Sequence, residues 1–115
     1  MSVETRFGER ILEKFEDRIK FIREVDEKLK KVIDELESYF KSNSNVGEIR
    51  VHLQREGAVV APIWIVEIMD LKIEIDYPSV RKLRVVHDTD GFPKMDKNAD
   101  IEEGLKQLLM DKFVF

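Results

Sequence analysis

From Ser2 to Lys41 the chain contains no proline, and its apolar residues recur at helical spacing, so the first third reads as one long amphipathic helix, about residues 2–41. Ile11, Phe15, Ile22, Val25, Leu29, Val32, Leu36 and Tyr39 fall at alternating steps of three and four, and Leu12, Ile19, Ile33 and Phe40 widen the stripe. Phe15, Ile22, Leu29 and Leu36 repeat every seven residues, a coiled-coil-like seam whose flanks Arg18 and Asp26 interrupt. On the polar face, Glu24 with Lys28 and Glu27 with Lys31 have the i,i+4 spacing of supporting ion pairs.

Length turns this helix into a constraint on assembly. At 1.5 Å per residue it would run close to 60 Å, whereas a compact domain of this size is roughly 35 Å across. Part of the apolar stripe must then overhang, and an exposed stripe of that kind predicts pairing with a second copy. The expected self-association residues are Ile11, Phe15, Ile22, Val25 and Leu29. A bend at Gly8, or in the charged stretch from Arg23 to Lys28, would fold the helix back and remove the overhang.

Ser42-Asn43-Ser44-Asn45-Val46-Gly47 supplies residues that stop the helix. Ile49, Val51 and Leu53 then alternate with Arg50, His52 and Gln54, as in a strand with one buried face. Glu56-Gly57 has hairpin-turn character. The run from Ala58 to Tyr77 is almost continuously β-prone, Pro62 requires an edge, a bulge or a strand start, and Met69-Asp70 is where the run is divided. Tyr77-Pro78-Ser79 makes a turn, and Lys82–Val86 reads as a last strand. After the polar loop 88–99, Asp100 is placed to N-cap a helix over about 100–113, with Glu103 at the capping-box position and Gly104 at a close approach to another backbone. The apolar end, Phe113-Val114-Phe115, is expected to dock. The expectation is a single α+β domain, 1–115, of order α-β-β-β-β-α: the long helix, an antiparallel sheet of three to four strands over about 47–87, and a C-terminal helix, with the helices on one sheet face.

Composition narrows the function classes. Apolar residues at 43% can build a core, while 38% charged residues with few Asn and Gln give a thermophile-like balance rich in ion pairs. With no cysteine there is no disulfide, thiol nucleophile or thiolate metal site. The sequence carries no secretory-type apolar stretch and no membrane span, so a cytoplasmic location is the expectation. A net charge of -4 offers no overall attraction to nucleic acid. Arg81, Lys82 and Arg84, with Lys94, Lys97 and the aromatic Tyr77 or Phe92, form a short basic cluster that reads as an ion-pair edge.

No catalytic, cofactor-binding or metal-ligating residue is assigned. Asp88, Asp90 and Gly91 resemble the middle of a calcium loop, but Val86 and Lys97 occupy its first and last ligand positions. Glu67 interrupts an apolar run, and His52 and His87 are the two histidines. A second reading, a small enzyme or a metal- or ligand-binding domain, would use His87, the Asp88–Asp90 loop and Glu67. A helix followed by a four-strand meander and the Tyr77-Pro78 turn is similar in layout to RWD and ubiquitin-conjugating domains. Lys82 stands near the place of their second proline and no cysteine is present, so this resemblance implies only a non-catalytic binding module. The favoured expectation is a non-catalytic, self-associating protein-interaction module, a homodimer through its long helix, with an unidentified protein partner open and without cofactor, membrane or nucleic acid.

Overall fold

The computed structural model describes residues 3–43, 45, 49–87, 93–95 and 100–113, with side chains for all of these except 3–5, 85–87 and 93–95. Helix α1, Val3–Asn43, continues without interruption through Gly8 and through Arg23–Lys28, so the overhang is not folded away. A helix of 41 residues spans about 60 Å, which accounts for most of the 65 Å long axis of a 65 × 33 × 21 Å molecule. At its end the Asn43 side-chain amide donates to the Tyr39 carbonyl at 2.9 Å.

Strands β1 (Val51–Ala58), β2 (Ala61–Ile68) and β3 (Leu71–Asp76) form an antiparallel meander with β2 in the middle. The β-prone run is divided at Met69-Asp70, where Met69 takes a left-handed φ of 56°; a tight hairpin needs positive φ at its first central position, and no glycine is there to supply it. The other turn corrects the expectation. It lies at Val59-Val60, because Ala58 pairs with Ala61, and Glu56-Gly57 remain in the strand. Gly57, at φ 89°, carries the left-handed residue one step inside the ladder, opposite Pro62. Pro62 is the second residue of β2, close to the strand start that its missing N–H requires.

The expected fourth strand is also corrected. The Asp76 side chain caps a short helix α2, Tyr77–Arg81, with Pro78 in its first turn, and Lys82–Arg84 continue as a 3₁₀ turn. Proline's fixed φ is pre-organised for a helix start, and this wins over the β-propensity downstream. Strand β4 (Val85–His87) pairs instead with β5 (Pro93–Met95) in a separate two-stranded ladder. Helix α3, Ile101–Lys112, is N-capped as expected, Asp100 accepting from the Glu102 N–H at 3.0 Å. Glu103 does not complete a box; its carboxylate lies 3.5 Å from Lys106. At Gly104 an added Cβ would come 2.7 Å from a Leu83 methyl, so the close approach is to a side chain.

Alternation puts Val51, Leu53, Trp64, Val66, Ile73 and Ile75 on one sheet face, in register across the three strands. That face meets Phe21, Ile22, Val25, Leu29, Val32 and Ile33 of α1 and Ile101, Leu105 and Leu109 of α3 in one core, to which Tyr77 and Val80 contribute. Trp64 lies at its centre with no solvent exposure. Its indole N–H donates to Asp26 of α1 at 2.8 Å, and Arg55, across the strand pair from Trp64, holds the other Asp26 oxygen. Asp26 therefore interrupts the heptad seam because it anchors the sheet. Between the helices, Lys31 meets Glu102 at 3.1 Å, while Glu24 turns to Arg84, so tertiary partners replace the expected i,i+4 pairs for both.

Replacing Asp26 by Ala strands a buried indole donor, and we expect a loss of about 1–3 kcal/mol in urea unfolding followed by circular dichroism. In a Trp64→Phe background, where the donor is gone, the same replacement is expected to cost clearly less.

Candidate functional site

Every side chain from Arg6 to Asp17 is exposed, and burial begins only at Arg18 and Ile19. This projecting part of α1 is not a polar helix. Phe7, Ile11, Leu12 and Phe15 are 66%, 39%, 58% and 46% exposed. They continue the pattern of the core. Phe7 lies fourteen residues before Phe21, Ile11 fourteen before Val25 and Phe15 seven before Ile22, and two heptads shift a straight helix by only about 40°. The face that is buried against the sheet in the body of the molecule is thus the face left open on the projection.

Of the five residues expected to associate, Ile11 and Phe15 lie on the open stripe. Ile22, Val25 and Leu29 do not: they are 2%, 0% and 0% exposed, already enclosed by the sheet and α3. The heptad alone could not separate the two sets, because the same spacing serves a partner helix and a sheet equally well. Phe7 was missed, although its place four residues before Ile11 was the available signal.

At the base of the projection a groove of about 570 Å³ opens between α1 and the α2 segment, lined by Ile11, Phe15, Phe21 and Tyr77 with a charged rim of Lys14, Arg18, Arg81 and Arg84 and the acidic Asp17. Arg18, the other interruption of the heptad, donates from Nε to the Tyr77 hydroxyl at 3.0 Å and sits 4.5 Å over the Tyr77 ring. Arg84 is buried, pairs with Glu24 and stacks 4.7 Å over Phe21, which itself meets Tyr77 edge-on. These cation–aromatic contacts close the open end of the core while leaving aromatic edges at the groove. The basic cluster reads as an ion-pair edge at Arg84, while Arg81 faces solvent.

The second set of expected residues is only partly gathered. Glu67 lies half-buried on the outer sheet face, between His52 of β1 and Lys72 of β3. The His87 side chain and residues 88–90 lie outside the described residues. Among the described residues no three histidine, aspartate or glutamate side chains are grouped as metal ligands. A second apolar groove, about 500 Å³, runs between the far half of α1 and α3, past Leu36, Tyr39, Phe40, Leu109, Met110 and Phe113.

Comparison with protein-family models, with curated proteins and with solved structures finds no match for this chain. Among the described residues no helix is long and apolar enough to cross a membrane.

The groove's α2 wall depends on Asp76, whose carboxylate accepts from the Ser79 N–H at 2.9 Å. That bond holds its pKa below the ordinary 3.8. A carboxylate depressed by folding stabilises above its unfolded pKa, and the stabilisation is lost as pH falls through the folded value. We therefore expect Asp76→Ala to cost about 1 kcal/mol near neutrality. Asp76→Asn, which keeps an acceptor without a titrating charge, should destabilise less and show a flatter decline than wild type below pH 3.8. Urea midpoints measured across pH 2–6 check both.

Proposed function

We propose that this chain is a non-catalytic protein-interaction module that self-associates through the projecting part of α1. The observation that carries this reading is the open stripe of Phe7, Ile11, Leu12 and Phe15, four large apolar side chains on a stretch of helix where every side chain from Arg6 to Asp17 is exposed. The area is of the right order. With about 150–250 Å² available from an aromatic side chain, these exposures offer on the order of 400 Å² per copy. Two copies, with the polar stems flanking the stripe, reach the lower end of specific interfaces, roughly 1,200 Å² in total.

A second copy satisfies the stripe without any other component, since the same residues are available on both molecules and a two-fold axis makes one patch self-complementary. Arg6, Glu9, Arg10, Glu13, Lys14, Glu16 and Asp17 surround the stripe with both signs of charge, so association is not opposed by a single-sign field.

Sedimentation velocity over 1–300 µM is expected to show the mass rising from 13.6 kDa toward twice that value. Phe15→Asp should hold the protein at monomer mass with an unfolding midpoint close to wild type, because Phe15 is 46% exposed. Ile22→Asp should instead lose several kcal/mol of stability, since an unpaired charge is placed at a site only 2% exposed. A constant monomer mass across the range contradicts the reading.

A further inference from the structure

We infer that the two copies pair antiparallel, with the two-fold axis near Ile11 and each body at an opposite end of a shared helical seam. This rests on the proposed dimer and specifies its geometry. The open stripe and the buried stripe are successive heptads of one helix face, so the body of the molecule stands on the same side of α1 as the surface that must be covered. In a parallel pair, equivalent residues would meet at the same height, and the two bodies would face each other across a seam whose helix axes are only about 8–10 Å apart. The narrower transverse dimension is 21 Å, and removing a helix diameter of about 10 Å leaves roughly 11 Å of body standing off α1. Two such bodies cannot share that gap.

Antiparallel pairing removes the conflict, because each body then lies beyond the N-terminal end of the other copy's helix. It also gives the groove at the base of the projection an occupant. With Ile11 on the axis, the partner's Phe7 arrives opposite Phe15, at the mouth of the groove lined by Phe15, Phe21 and Tyr77. Gly8 lies within the stripe, and a Cβ built there meets nothing within 4 Å, so the partner helix can approach closely at that point.

The chain has no cysteine, so Lys30→Cys introduces one attachment point for a spin label, at an exposed position outside the stripe. Lys30 is nineteen residues from Ile11, about 28 Å along the helix. Pulsed dipolar spectroscopy at 300 µM should therefore give an intermolecular distance of about 55–60 Å, lost on adding Phe15→Asp. A distribution centred below about 25 Å overturns the antiparallel arrangement and leaves the dimer standing. No intermolecular coupling together with monomer mass at the same concentration overturns the dimer, and the arrangement with it.

Discussion

The bond from the Trp64 indole to Asp26 ties the middle strand to the long helix, and the rest of the fold is arranged around it. Trp64 is wholly buried and carries one donor, which costs about 1–3 kcal/mol if left without an acceptor. Asp26 meets that need from the helix side, while Arg55 meets the remaining charge of Asp26 from the sheet side. This fixes which face of the meander turns toward α1 and at what point along the helix it docks. Because the sheet meets the helix at residues 21–33, the first four turns are left beyond the body. The overhang is thus a consequence of where the anchor lies.

The anchors were visible in the sequence but carried the opposite meaning there. Arg18 and Asp26 break the heptad, and spacing alone makes them defects in a coiled-coil seam. In the folded chain they are the residues that bind Tyr77 and Trp64. The long helix, the antiparallel strands and the capped C-terminal helix were legible because each rests on local periodicity or capping chemistry. The Val59-Val60 turn was not legible, since no turn-forming residue marks it and the left-handed residue, Gly57, lies two positions earlier. Lys82–Val86 misled for a related reason: a cap at Asp76 and a proline in the first turn commit the preceding residues to helix, which five alternating residues cannot signal.

The candidate surface was half legible. All five expected residues came from the mismatch between helix length and domain size; Ile11 and Phe15 are exposed and Ile22, Val25 and Leu29 are buried, a difference the spacing could not show because burial against a sheet and burial against a helix leave the same pattern. Separating them needs the third dimension, in particular the position of Trp64.

An isolated helix of twelve to fifteen residues is marginal in water, because helices in proteins draw most of their stability from packing. In the projection from Arg6 to Asp17 every side chain is exposed, so one chain supplies little of that packing among the described residues. If a second copy supplies it, the helical state of that stretch depends on concentration. Amide hydrogen exchange of residues 6–17, measured by mass spectrometry at about 1 µM and at 300 µM, tests this directly. Weak protection is expected at the lower concentration and strong protection at the higher, with the core around Trp64 unchanged. Equal, fast exchange of residues 6–17 at both concentrations would contradict it.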